Sequence, residues 1–358
     1  MQNNTKKTYF AAANTAQGFV SFYERCFLRE DVSRLYMIKG GPGTGKSRFL
    51  GDVANEANRL GWKAEYFACS SDPDSLDGVI LTHAQKGRIA LVDSTPPHVL
   101  EPTLPGVRDV IVNLGDFWSR EKLAQNAKCI RLLNRQKQEG FLQAYQYLHT
   151  AGTLLQLRDG LIGPCVQDDR LARAAARLAK CFPTARNFVE SVGFCDSIGM
   201  KGRVHLDTHE KNADRVIVVM PFYGIEQIFM QMLYENACEK GCRIQRAPDV
   251  LRPDKTAALY FPATRLCITT HSPQNTEGQD VHRVDLRRFC APELLRDVRS
   301  QARFAQKMAD SALLAACECF TRAGEYHFEL ERLYTAAMDF DAKERFTVTF
   351  CNAILQNP

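Results

Sequence analysis

The sequence predicts an α/β fold in which a three-layer αβα unit occurs twice, each copy followed by a helical hairpin. Three observations predict it. The apolar run Leu35 to Ile38 enters a glycine-rich turn and then a helical pattern. About 180 residues later, RVIVVMPFYGIEQIFMQML (215–233) repeats the order of strand, turn and apolar helix. After each of these units come roughly sixty residues with apolar side chains at helical spacing.

A chain of 358 residues has room for two domains of ordinary size. Its 45% apolar and 24% charged residues belong to a globular protein rather than a disordered or fibrous one. The formal net charge of +5 is too small to argue for nucleic acid by itself. Asn14 and Gln17 interrupt the apolar character of the first residues, which argues against a signal peptide, and no run is long enough to cross a bilayer. Thirteen cysteines, with no CxxC, suit free thiols in a reducing cytoplasm. No membrane partner is expected.

The first element in order is RLYMIKGGPGTGKSRFL (34–50). Gly40, Gly41, Pro42, Gly43, Thr44, Gly45, Lys46 and Ser47 fit G-x-x-x-x-G-K-[ST] in a strand–loop–helix setting, with Arg48 opening the helix. Glycines allow positive φ and close backbone approach, so successive N–H groups converge on phosphate oxygens at a helix N-terminus. Lys46 would neutralise the β- and γ-phosphates and the Ser47 hydroxyl would ligate Mg²⁺. The pattern therefore predicts a P-loop site for a nucleoside triphosphate. A carboxylate for the metal comes 47 residues after Lys46, where the strand Arg88 to Asp93 ends. Asp93 is expected to share Mg²⁺ with Ser47, directly or through water.

A group must also orient or deprotonate the nucleophile. Asp93 is followed by Ser94 and Thr95, so the catalytic glutamate that many ATPases place there is missing. Asp72 and Asp74, in a loop after the strand Lys63 to Cys69, are the chosen substitutes, with His98 and Glu101 as further candidates.

The second unit aligns with the first. Segments beginning at Phe10, Arg34, Arg88 and Asp109 match others at Phe188, Arg215, Arg265 and Val281, at offsets of 178, 181, 177 and 172. A period this long means two similar domains rather than a solenoid. The second copy lacks the chemistry: Gly224, Ile225, Glu226 and Gln227 stand where Gly45, Lys46 and Ser47 stand in the first, and Thr270 replaces Asp93.

The combination YFAAANTAQGF, KGGPGTGKS, CSSDPDSLDGVI, VDSTPPHVLEP and NLGDFW resembles an uncharacterised bacterial family of tandem-domain P-loop proteins, described generally as ATPases. The resemblance spans nearly the whole chain and is densest over residues 9–118. It implies a P-loop NTPase-like fold and nucleotide binding, and no substrate. Members of that family often carry a glycine loop in both halves, so this chain departs from it in the second.

Residues 1–183 are thus expected to form a P-loop domain with a helical arm at about 119–181, and residues 184–358 a degenerate copy with a helical tail at about 292–355. Phe182-Pro183 marks the junction. Each tail is expected to pack on its own sheet or to project as an arm, offering a surface to a protein partner. Residues 120–186 carry twelve Lys or Arg against five Asp or Glu. Without aromatic residues interleaved for base stacking, this run reads better as a solvated helix face than as a nucleic-acid surface. His205 with His209, and Cys238 with Cys242, are i, i+4 pairs that lack further ligands.

These readings together predict a cytoplasmic, Mg-dependent ATPase working from the N-terminal site alone, with the second domain structural or regulatory. ATP is expected over GTP because no suitably placed N/T-K-x-D guanine-reading motif occurs. Two alternatives stay open: a phosphotransferase acting on a small molecule or nucleotide, and a non-catalytic module whose helices are set by bound nucleotide.

Overall fold

The structure, a computed structural model, describes residues 7–273 and 278–356. The α/β class holds: two mixed six-stranded sheets, each with its own helices, follow one another along the chain. The first half contains β1 Lys7–Phe10, β2 Ala12–Thr15, β3 Gly18–Ser21, α1 Tyr23–Phe27, β4 Arg34–Lys39, α2 Lys46–Arg59, β5 Lys63–Ala68, β6 Leu76–His83, β7 Gly87–Asp93 and β8 Asp109–Asn113. Its tail is α3 Arg120–Gln125, α4 Ala127–Ile162 and α5 Asp168–Leu178. The second half contains β9 Val189–Val192, β10 Asp196–Gly199, β11 Gly202–His205, α6 Thr208–Lys211, β12 Arg215–Met220, α7 Ile225–Glu239, β13 Arg243–Pro248, β14 Thr256–Phe261, β15 Leu266–Thr269 and β16 Asp280–Asp285. Its tail is α8 Pro292–Thr335 and α9 Phe340–Gln356.

The sheets run β1-β5-β6-β7-β4-β8 and β9-β13-β14-β15-β12-β16, the same order strand for strand. In both, the third strand is antiparallel to its two neighbours and the other pairings are parallel. Even the irregularity near the end of β5, between Phe67 and Ala68, recurs in β13 between Ala247 and Pro248. Registers agree with the sequence offsets on the inner strands, since Arg34 pairs with Ile89 and Arg215 with Leu266. The start of the repeat needs correction. Phe10 corresponds to Phe194 rather than Phe188: these two exchange backbone hydrogen bonds of 2.9 and 2.8 Å at the seam between the halves. A phenylalanine is a poor marker of register when Phe188 and Phe194 stand six positions apart.

Side chains along β4 alternate between the two faces of the sheet, and both faces are buried. Tyr36 and Ile38 pack with α2, through Phe49, Leu50 and Val53. Leu35 and Met37 face the other way, toward α1 and toward Cys195, Ala247 and Ala258 of the second half. The three-layer αβα expectation therefore fits one face of the first sheet. The other face is covered by the five-residue α1 and by the second half, not by a full layer of helices.

The tails also differ from the helical hairpins expected. Neither folds back on itself. Instead α4 and α8 run antiparallel against each other, with Gly140 facing Ala323 and Arg158 bonding Gln306. Small residues on the contact faces, including Ala144, Ala151, Ala316 and Ala323, let the backbones approach. The short helices that follow are exchanged between the halves. Leu171 and Ala175 of α5, with Phe182, are buried among Phe229, Leu233 and Phe261 of the second half. Cys351, Ile354 and Leu355 of α9 are buried with Phe49, Val53 and Trp62 of the first. Symmetric backbone bonds mark the crossings: Ser119 N–H to Ala337 O and Asp339 N–H to Phe117 O, then Gln167 N–H to Phe289 O and Ala291 N–H to Cys165 O, all 2.8 Å. At 36 residues α4 ends about 54 Å from where it starts, so the 11-residue α5 cannot reach back to the first sheet. So residues 168–182, assigned by sequence to the first segment, complete the core of the second.

All thirteen cysteines are free thiols, eight of them buried. No helix among the described residues is long and apolar enough to cross a membrane.

Candidate functional site

The loop between β4 and α2 sits where parallel strands end and a helix begins. Gly43 and Gly45 adopt φ of 70° and 77°, the left-handed region that only glycine enters without strain. A Cβ at Gly43 would also run into the backbone carbonyl of Glu331. Thr44 is fully buried, and its hydroxyl donates to Gly41 O at 2.9 Å, which holds the loop closed. Lys46, the first residue of α2, folds back over the loop. Its Nζ donates to Gly40 O at 3.0 Å and Gly41 O at 2.9 Å, and stands 3.6 Å from Asp93 Oδ2.

Asp93 ends β7, directly beside β4 in the sheet, with Ile38 as its partner in register. It is nearly buried, and its Oδ1 accepts from the Thr95 N–H at 2.9 Å and the Thr95 hydroxyl at 2.6 Å. Ser47 Oγ accepts from the Leu76 N–H at 2.8 Å, so the start of β6 positions it. Gly40, Gly41, Lys46 and Asp93 thus come together, with Ser47 next to Lys46 in the first turn of α2. Arg48 does not join them. It lies on the outer face of α2, largely exposed, paired with Asp52 at 3.9 Å and Glu344 at 3.6 Å.

The candidate bases are engaged elsewhere. Lys201, in the β10–β11 turn, ion-pairs with Asp74 and lies 3.4 Å from Asp72, while Met200 N–H donates to Ser71 O. The acidic loop is therefore a docking contact with the second half. His98 is buried, stacked on Tyr23 at 4.8 Å, with its Nε2 3.2 Å from Asp77 Oδ2. Burial pushes the Asp77 carboxyl up, against the pull of His98. Glu101 is exposed and 3.5 Å from Lys39 Nζ.

Several residues at the loop carry no motif in the sequence. Thr335 Oγ1 donates to Gly43 O at 3.3 Å, and the Tyr334 ring lies over Gly41. Glu331, one turn earlier on α8, reaches the loop with its carboxylate. His327 beside it, then the Gly43 N–H and the charge of Lys46, hold that carboxyl below its ordinary range despite desolvation. Lys137 on α4 is pushed down by burial and by the nearby charge of Lys46. Lys343 of α9 is buried beside Gly45. These residues lie between 90 and 300 positions from the loop, so no local spacing could reveal them. The one signal was the repeat itself: continued at an offset of 172 through the tails, it matches Asp159 to Glu331.

The second half shows why its loop is different. Between β12 and α7 only Pro221 to Gly224 remain, two residues fewer than the six from Gly40 to Gly45. Glu226 Oε2 accepts from the N–H groups of Phe222 at 2.8 Å and Gly224 at 3.1 Å. A side-chain carboxylate thus takes the amides an anion would need. His205 and His209 make different contacts: His205 faces Asp196 and Glu210, whereas His209 is buried with its Nδ1 3.6 Å from Cys195 Sγ. Cys242 Sγ donates to Pro183 O.

Comparisons with protein-family models, with curated proteins and with solved structures return no match.

Proposed function

We propose that the first half binds a nucleoside triphosphate with Mg²⁺, ATP in the first instance, and hydrolyses it slowly, while the second half serves as a structural partner. The observation that carries this reading is the convergence of Lys46, the Gly40–Gly45 loop and Asp93 at the N-terminus of α2. Lys46 rests on carbonyls it can leave for phosphate oxygens, and glycine is required at Gly43 and Gly45 by conformation. Ser47 and Asp93 would hold Mg²⁺, which offsets charge on the β- and γ-phosphates. The amides of the loop and the first turn of α2 would bind the phosphates, and the covering helices would limit access of water.

Asp72 and Asp74 remain candidate bases in this reading if Lys201 releases them. Free phosphate from ATP and the intact chain, absent in Lys46→Ala, tests hydrolysis; transfer to an added acceptor would favour the phosphotransferase instead.

One observation favours the third possibility, that nucleotide sets the pose of the helices. Glu331 and Thr335 of α8, with Lys343 of α9, touch the loop itself. A triphosphate entering there must displace the Glu331 carboxylate, and α8 is the helix that joins the two halves. Exposed Leu132, Leu142, Phe304 and Leu314 on the long helices would then offer a surface to a protein partner.

A further inference from the structure

The second half brings together a group of side chains that its lost loop does not use. Asp196 opens β10, His205 closes β11, and His271 lies just beyond β15, close to the position that matches Asp93 in the first half. Asp196 Oδ1 is 3.3 Å from His205 Nδ1 and 3.2 Å from His271 Nε2. One atom from each of the three residues lies within 4.8 Å of the others.

Asp196 is 1% exposed, yet neither of its carboxylate oxygens has a well-aligned hydrogen bond, and neither does His205 Nδ1. Its charge is met instead by Arg203 Nε, His205 Nδ1 and His271 Nε2 at 3.2–3.5 Å. A shared ion at a common centre requires one ring to turn, because the His205 and His271 rings stack at 4.1 Å between centroids with 17° between their planes. The spacing suits such a centre: around a tetrahedral ion with bonds of about 2.0–2.1 Å, neighbouring ligand atoms stand ~3.3 Å apart.

The surroundings are those of a metal ligand as well. His205 turns its other nitrogen, Nε2, to Glu210 Oε1 at 3.4 Å, and Glu210 accepts from Thr269 Oγ1 at 3.0 Å. A carboxylate behind the imidazole fixes its orientation and raises its basicity. The cluster opens on a cavity of about 750 Å³, also lined by Arg158, Arg203, Glu226 and Thr270.

We propose that Asp196, His205 and His271 form a binding site for a divalent first-row transition metal of the zinc class, with the cavity side left for water or a ligand oxygen. Two imidazoles and one carboxylate suit such an ion better than Mg²⁺ or Ca²⁺, which prefer oxygen ligands throughout. Arg203 opposes binding as it stands: its Nε is 3.5 Å from Asp196 Oδ1 and its guanidinium contacts His271 Nε2 at 3.3 Å. The side chain is half exposed and borders the cavity, so it can swing aside. This site is independent of the nucleotide reading, and Lys46→Ala should leave it intact.

The test is titration of the chelator-treated full chain with Zn²⁺ by calorimetry and with Co²⁺ by absorption. One ion should bind per chain, with visible cobalt bands and no thiolate-to-cobalt charge transfer in the near ultraviolet. His271→Ala and Asp196→Asn should each weaken binding at least a hundredfold, and Arg203→Gln should tighten it several-fold. Circular dichroism identifies a variant that has failed to fold; His271, partly exposed, is the safer of the two ligand substitutions. Failure of the wild-type chain to bind, unchanged affinity in folded His271→Ala, or a thiolate band pointing to Cys69, Asp77 and His98, would each overturn the assignment.

Discussion

Asp159 of α4 and Glu331 of α8 occupy equivalent positions, each with its carboxylate pressed against the strand-to-helix loop of the opposite half. Asp159 lies beside Gly224, held by Arg158 and Arg252, and Glu331 lies beside Gly43, near Lys46. The arrangement is symmetric, but the loops are not. In the second, Glu226 already takes the free amides; in the first, Glu331 reaches the Gly43 N–H near Lys46, where the proposed nucleotide would compete with it.

Removing that competing charge should favour nucleotide. Glu331→Gln is expected to tighten Mg-ATP binding about tenfold, or about 1.4 kcal/mol, in a calorimetric titration. Asp159→Asn should leave it unchanged. Equal effects of the two would mean that the loops are not distinguished by chemistry.

Lys46→Ala should abolish ATP-dependent thermal stabilisation, which at a hundredfold excess of ligand over Kd is worth about 2.7 kcal/mol. Glu226→Ala should retain it. Thermal unfolding with and without Mg-ATP distinguishes these results, and loss in both variants would remove the assignment of one competent loop.

The exchange of short helices makes a prediction about stability. Leu355→Ala in α9 empties a fully buried position against the first half, and Leu171→Ala in α5 does the same in the second. Each should cost about 2–5 kcal/mol in urea unfolding. A cost below about 0.5 kcal/mol, usual for surface sites, would contradict the packing of that helix. Lys86 also ties α9 down, donating to Leu355 O at 2.7 Å and Gln356 O at 2.9 Å.

Asp109 gives a pH dependence with a defined sign. Its hydrogen bond with Arg108, together with the Leu104 and Thr103 N–H groups, holds the carboxyl well below the ordinary range against desolvation. A carboxylate depressed in the folded state stabilises above the unfolded value, about 3.9, and loses that contribution as pH falls toward the folded one. Asp109→Asn should therefore lower stability by about 1–3 kcal/mol at neutral pH. The difference from wild type should shrink steadily below about pH 4. A gap that widens in acid would refute this origin.

Much of the site was legible because it is local. The run from Gly40 to Ser47 needs only a strand before it and a helix after it, and Asp93 follows from the next parallel strand. The antiparallel β6 was harder to place, since LDGVILTH (76–83) follows an acidic loop and its apolar run does not state which neighbours it joins. The pairing of Asp72 and Asp74 with Lys201 has no local signal, because Lys201 lies 127 and more residues away.

The sequence by itself determined the duplicated α/β plan, the one glycine loop with its lysine and strand-end aspartate, and the loss of those groups from the second copy. Each depends on residue types at short spacings, where backbone conformation and side-chain reach are set by neighbours. Only the tertiary structure decided that α5 and α9 change places, that Glu331 covers the loop, and that Asp196, His205 and His271 meet. Those contacts depend on where two long helices carry the chain, and a helix more than thirty residues long delivers its end tens of ångströms from its start, beyond the range of any local pattern.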